Sequence, residues 1–183
     1  MGIFGGYRAD RLIAEVRESG DPDSAKAKAA LAKLQSLGVG AIKPIVDALA
    51  SADKRETVAF VEALTPLVDN KTFPALAEAL ADENPRAVAG VAWALASSRN
   101  FSPSLLLELL SRPGVSRPAV LDVIAAHKQR FQLRELLNAA YQQDPNEKAA
   151  LFRIAGELVD ATSVDELVAR VEGKDTIART HII

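Results

Sequence analysis

Cysteine is absent from this 183-residue chain, and methionine and tryptophan occur once each. Without thiols there are no disulfide frameworks and no thiolate metal sites, which fits a reducing compartment and leads us to expect a cytoplasmic protein. Histidine is scarce: His127 and His181 are the only two, and neither has a second histidine or an acidic residue at ligand spacing, so no metal site is expected. Excess charge is missing as well. With 22 Lys and Arg against 24 Asp and Glu, the net charge of −2 gives no field that would draw in nucleic acid or an anionic membrane. No apolar run reaches the roughly 18 residues of a spanning helix. The segment from Met1 to Arg8 lacks the basic start and apolar stretch of a secretory leader, and Gly6 stands where a myristoylation signal wants Ser or Thr. Gly5-Gly6 reads as a flexible lead-in rather than a phosphate loop, because no strand precedes it. No nucleophile elbow and no suggestive carboxylate pair is present, so no catalytic residue and no cofactor is expected.

What the chain does have is a period. Val16, Leu49, Leu80, Leu110, Ala140 and Val171 follow one another at steps of 33, 31, 30, 30 and 31 by subtraction, the mark of stacked repeat units. Four residues before each anchor stand Leu12, Ile45, Leu76, Leu106, Leu136 and Leu167. Eleven after, from Leu49 onward, come Phe60, Val91, Leu121, Leu151 and Ile182, and fourteen after come Ala63, Ala94, Ile124 and Ile154. Within a unit the spacing is helical: Ile42, Ile45, Val46 and Leu49 form one stripe, and Phe60, Ala63, Leu64 and Leu67 form the next. The polar turn Ser51-Ala52-Asp53-Lys54 joins them, making an αα-hairpin of about 30 residues. In the first unit, Ala27, Ala30, Leu31 and Leu34 mark the second helix.

The punctuation agrees. Pro44, Pro74 and Pro103 are expected in the first turns of first helices, where the missing N–H costs nothing. Asp53, Asp82, Asp144 and Asp175 are expected to cap second helices, and Ser163 with Glu166 to form a capping box. Pro66 should stop or kink its helix. Pro113-Gly114 marks the turn of the fourth unit.

The run Asp82-Glu83-Asn84-Pro85-Arg86-Ala87-Val88-Ala89-Gly90-Val91-Ala92-Trp93-Ala94-Leu95, with Asp53-Lys54-Arg55 and Asp175-Thr176-Ile177-Ala178-Arg179, resembles HEAT repeats of the armadillo-like class. The fourth unit departs, with Pro113-Gly114 in place of the aspartate, and the fifth has Lys148 for the arginine. The resemblance covers essentially the whole chain. It implies an all-α fold, an α-α superhelix of about five complete helical hairpins and a partial sixth, in one domain. The units run approximately 8–37, 40–69, 71–99, 102–130, 132–160 and 162–183. It also implies a concave face lined by second helices. Ile177, Ile182 and Ile183 continue the apolar pattern to the last residue, so the chain reads as a piece of a longer protein.

Function is expected on a surface rather than in a pocket: a non-enzymatic scaffold that binds a protein partner or an adjacent domain of the full-length chain. Trp93 stands thirteen residues after its anchor, where other units carry Glu62, Val123 and Arg153. It is either packed between units or half-exposed as a binding anchor. Arg55, Arg86, Arg117, Lys148 and Arg179 recur near the starts of second helices, at offsets drifting from six to eight. They form either a basic ladder for an acidic partner or internal pairs with aspartates such as Asp53 and Asp82. Trp93, Arg86, Arg55, Arg117 and Arg153 are the candidate partner-binding residues. In the loop Ser97–Ser102, Phe101 is expected to pack inward and the polar residues to cap helix ends. HEAT-like folds also include glycosylases of alkylated DNA and bilin lyases. A nucleic-acid enzyme would want a basic groove, which the charge balance does not favour. A spacer or dimerisation element of a signalling enzyme is a further alternative.

Overall fold

The computed structural model describes residues 3–171 and 175–182. Those residues form twelve α-helices and two short 3-10 turns, with no strand among them, so the fold is all-α. The helices are α1 (Ile3–Glu18), α2 (Ala25–Gln35), α3 (Val39–Leu49), α4 (Lys54–Leu64), α5 (Phe73–Ala79), α6 (Pro85–Ser97), α7 (Ser104–Leu110), α8 (Arg117–Ala126), α9 (Leu133–Ala140), α10 (Pro145–Gly156), α11 (Val164–Arg170) and α12 (Thr176–His181). Among the described residues no helix is long and apolar enough to cross a membrane.

The helices fall into two compact units, α1–α6 with Gly114–Ser116, and α7–α12. In the first, each helix packs on its successor within a pair, and also on the helix two places on: α1 on α3 on α5, and α2 on α4 on α6. In the second, α8 packs on α10 and α10 on α12, while α9 meets α11. Polar contacts obey the same interval. Arg17 spans 34 residues to donate to Ser51 Oγ at 2.9 Å, and also donates to the carbonyl of Ala48 at 3.1 Å, at the C-terminal end of α3. A cation there complements the negative end of the helix dipole.

The apolar columns are the core. Val16, Leu49, Leu80, Leu110 and Ala140 are buried, and so are Leu12, Ile45, Leu76, Leu106 and Leu136. Phe60, Val91 and Leu151 are buried with them, as are Ala63, Ala94, Ile124 and Ile154. Leu121 breaks its column: it is only half-buried, while Val120 and Val123 are fully buried. In that unit Gly114 takes a left-handed turn (φ 81°) and Pro118 fixes the first turn of α8. The buried stripe of this helix is Val120, Val123 and Ile124, which leaves Leu121 at its edge. In the last pair Leu167, Val171 and Ile182 are half-buried, and Ile183 lies outside the described residues.

Helix ends show where local chemistry wins and where it is redirected. Asp53 Oδ1 accepts from the N–H groups of Arg55 and Glu56 at 2.8 Å each, and Glu56 returns a carboxylate to Asp53 N–H at 3.1 Å, a full capping box. Asp175 caps α12 through the N–H groups of Ile177 and Ala178. Asp82 does not cap α6. It accepts from Asn84 N–H at 2.7 Å, and Asn84 makes the cap instead, because Pro85 occupies the first helical position. Asp144 holds the cap position of α10, but its carboxylate turns to Arg117. Ser163 and Glu166 form no capping box, since the Ser163 hydroxyl donates to Asp160 at 2.8 Å.

Pro66 stops α4 at Leu64 and sits in the 3-10 turn Thr65–Leu67. Pro74 lies in the first turn of α5 and Pro103 just before α7, as expected, but Pro44 is the sixth residue of α3. Gly38 (φ 58°) lets the chain turn into that helix early, so the proline falls inside it. Gly5-Gly6 is not a flexible lead-in either: both residues belong to α1.

Phe101 is buried and stacks on Phe73 with ring centroids 5.4 Å apart. Beside it Ser98 closes the end of α6.

Candidate functional site

Helix α6 carries Arg86, Gly90 and Trp93 at i, i+4 and i+7, one stripe along one face. Opposite lies the start of α4, with Ala52, Lys54 and Thr57. Between the two second helices is a groove of about 510 Å³, lined by these six residues together with Asp53 and Ala89. Gly90 sets how closely α6 approaches its neighbours. A Cβ there would lie 2.8 Å from Leu49 Cδ1, so only glycine lets the stripe sit this near α3.

Trp93 is 48% exposed, which decides between its two readings in favour of the half-exposed one. Its indole N–H meets no acceptor among the described residues. Arg86 is exposed, and among the described residues its guanidinium makes no ion pair. The Asp53 carboxylate is engaged in capping α4.

Three other members of the basic series are held internally, Arg117 and Lys148 by inter-helix aspartates of the expected kind and Arg55 by Asp21 and Asp23 instead of Asp53 or Asp82. Arg55 reaches back to Asp21 at 2.6 Å and Asp23 at 3.3 Å, in the adjoining groove between α2 and α4. Hydrogen bonding from Arg55, then from Lys28, holds the Asp23 carboxyl below its ordinary value. In the second unit, Arg117 reaches forward to Asp144 at 3.2 Å and Glu147 at 3.5 Å. Lys148 pairs with Asp175 at 2.5 Å, and its ammonium lies 4.6 Å from the centre of the Tyr141 ring. The Asp175 carboxyl is therefore also held below its ordinary value, first by the Lys148 hydrogen bond. Arg153 is exposed on α10 near Glu157, a carboxyl held low mainly by Lys128. Arg179 is exposed on α12.

Of the five candidates, then, the fold brings Arg86 and Trp93 to one groove. Arg55 stands in the neighbouring groove of the same unit, while Arg117 and Arg153 belong to the second unit. Lys54 and Gly90 were not singled out by sequence reasoning. A lone glycine inside an apolar helical pattern is the signal that could have flagged Gly90 as a close approach. His127 is buried, His181 is exposed, and the described residues hold no group of three side chains able to bind a metal. Comparison of the chain with family models, with curated proteins and with solved structures finds no match.

Proposed function

We propose that this chain is a HEAT-like α-solenoid acting as a non-enzymatic, cytoplasmic scaffold, which binds a protein partner or an adjoining domain along its second helices. The observation that carries this reading is the α4/α6 groove, where a half-exposed tryptophan and an unpaired arginine share one helix face. Aromatic and arginine side chains supply most of the energy at protein interfaces. The packing of second helices α2, α4 and α6 side by side supports the solenoid, since a hairpin alone buries too little apolar surface and must stack on its neighbours. The net charge of −2 gives no field that favours a phosphate backbone, which weighs against a DNA glycosylase.

The test is quantitative capture of binding proteins from a native extract by the wild-type chain and by the double variant Arg86→Ala/Trp93→Ala. Loss of the specifically captured protein in the variant supports this face. Equal capture by both removes it.

A further inference from the structure

We infer that the α4/α6 groove takes an acidic peptide segment, one in which a carboxylate side chain neighbours an aliphatic residue. The inference rests on the scaffold reading and specifies its ligand chemistry.

Two cations, Lys54 and Arg86, face the groove, and its single carboxylate, Asp53, is committed to the N–H groups of Arg55 and Glu56. Among the described residues Arg86 makes no ion pair, whereas Arg55, Arg117 and Lys148 each do. Arg117 and Lys148 each pair with a carboxylate 27 residues further on, Asp144 and Asp175. A guanidinium with a free planar fork is suited to a carboxylate. Between the cations and Trp93 the floor is apolar, formed by Ala52, Ala89 and Gly90, with room for an aliphatic side chain against the indole. The free indole N–H adds a donor for a peptide carbonyl.

Trp93 is the sole tryptophan, so its emission reports on this groove alone. The full chain is titrated with a blocked ten-residue peptide alternating aspartate and leucine, and with its counterpart carrying lysine for aspartate. The expected result is a saturable blue shift of Trp93 emission with the acidic peptide only. Arg86→Glu should weaken it about tenfold, twice the logarithmic effect of losing one exposed pair. Trp93→Phe, followed by anisotropy of a labelled acidic peptide, should weaken binding as well, and circular dichroism checks that both variants keep their helices. Equal binding of the two peptides, or affinity unchanged in Arg86→Glu, overturns the inference. So does full displacement by millimolar inorganic phosphate, which marks a bare anion site. Concentration-dependent dimerisation abolished by Trp93→Ala overturns it in favour of a second copy as the occupant. If a captured protein needs Arg86 and Trp93 while the acidic peptide fails, the scaffold reading stands and only the ligand class falls.

Discussion

Two grooves flank α4 in the first unit, and they differ in one respect that matters. On the α2 side Arg55 is tied down by Asp21 and Asp23, and Lys28 adds a further bridge to Asp23 at 3.4 Å. On the α6 side Arg86, at the equivalent place in the next hairpin, has no acid partner among the described residues, and Trp93 stands open beside it. Both grooves arise from the same packing of second helices. The lesson is that the same packing makes both grooves, but local charge decides which one is available. The second unit makes the same point from the closed side, where Lys148 is consumed by Asp175 and by the rings of Tyr141 and Phe152.

The comparison can be broken most severely by removing the wall both grooves share. Phe60, fully buried on α4, should cost about 3–5 kcal/mol on truncation in Phe60→Ala, read by urea denaturation of the whole chain. Binding at the α4/α6 groove should fall with it.

The closed cation comes next. Lys148 and Asp175 side chains are 20% and 8% exposed, so Lys148→Ala should cost about 2 kcal/mol, between the surface and buried limits for ion pairs. The pair is also sensitive to acid. The folded carboxyl of Asp175 is depressed, so its contribution is complete above the unfolded value of about 3.9 and is lost as pH falls through the lower folded value. The amide NMR signals of Ile177 and Ala178, which donate to Asp175, should therefore hold steady from pH 7 to 5 and move only below about pH 4.

Gly90→Ala probes the spacing of the open groove. The added methyl must push the buried Leu49 side chain aside, at about 1–3 kcal/mol for overpacking, partly offset by about 1 kcal/mol of helix propensity. A net loss of about 1 kcal/mol in chemical denaturation is expected. An unchanged or raised stability would show that α3 and α6 are not held at this distance.

The smallest stability effect is the most informative. Asp21→Asn/Asp23→Asn frees Arg55 and Arg86→Ala removes its open counterpart, and each should move the melting temperature by no more than about 2 °C. Their effects on acidic-peptide affinity should be opposite. The first should give the α2/α4 groove a binding capacity it lacks, and the second should diminish that of α4/α6.

Much of this was legible along the chain. The helix pairs, the buried anchors, the stop at Pro66, the inward turn of Phe101 and the cap at Asp53 all follow from neighbours within a few positions, where spacing and side-chain chemistry act directly. The misses come from competing partners, as at Asp144 and Ser163, and from small shifts of register. Asp82 lost its cap to Asn84 because Pro85 shifted the helix start, and Leu121 gave its buried place to Val120. Such shifts of one or two residues are invisible to a period of about 30.

By itself, the sequence determined an all-helical chain of repeating hairpins with apolar columns at fixed intervals, because burying those columns is the only way such short amphipathic helices become stable. The tertiary structure alone decided which cations of the repeated series are spent and which are left. Arg55, Arg117 and Lys148 find partners 27 to 34 residues away, and whether a carboxylate meets a guanidinium across that interval depends on how adjacent hairpins pack. Arg86 remains unpaired beside an open Trp93 for that reason, and its availability is a property of the fold.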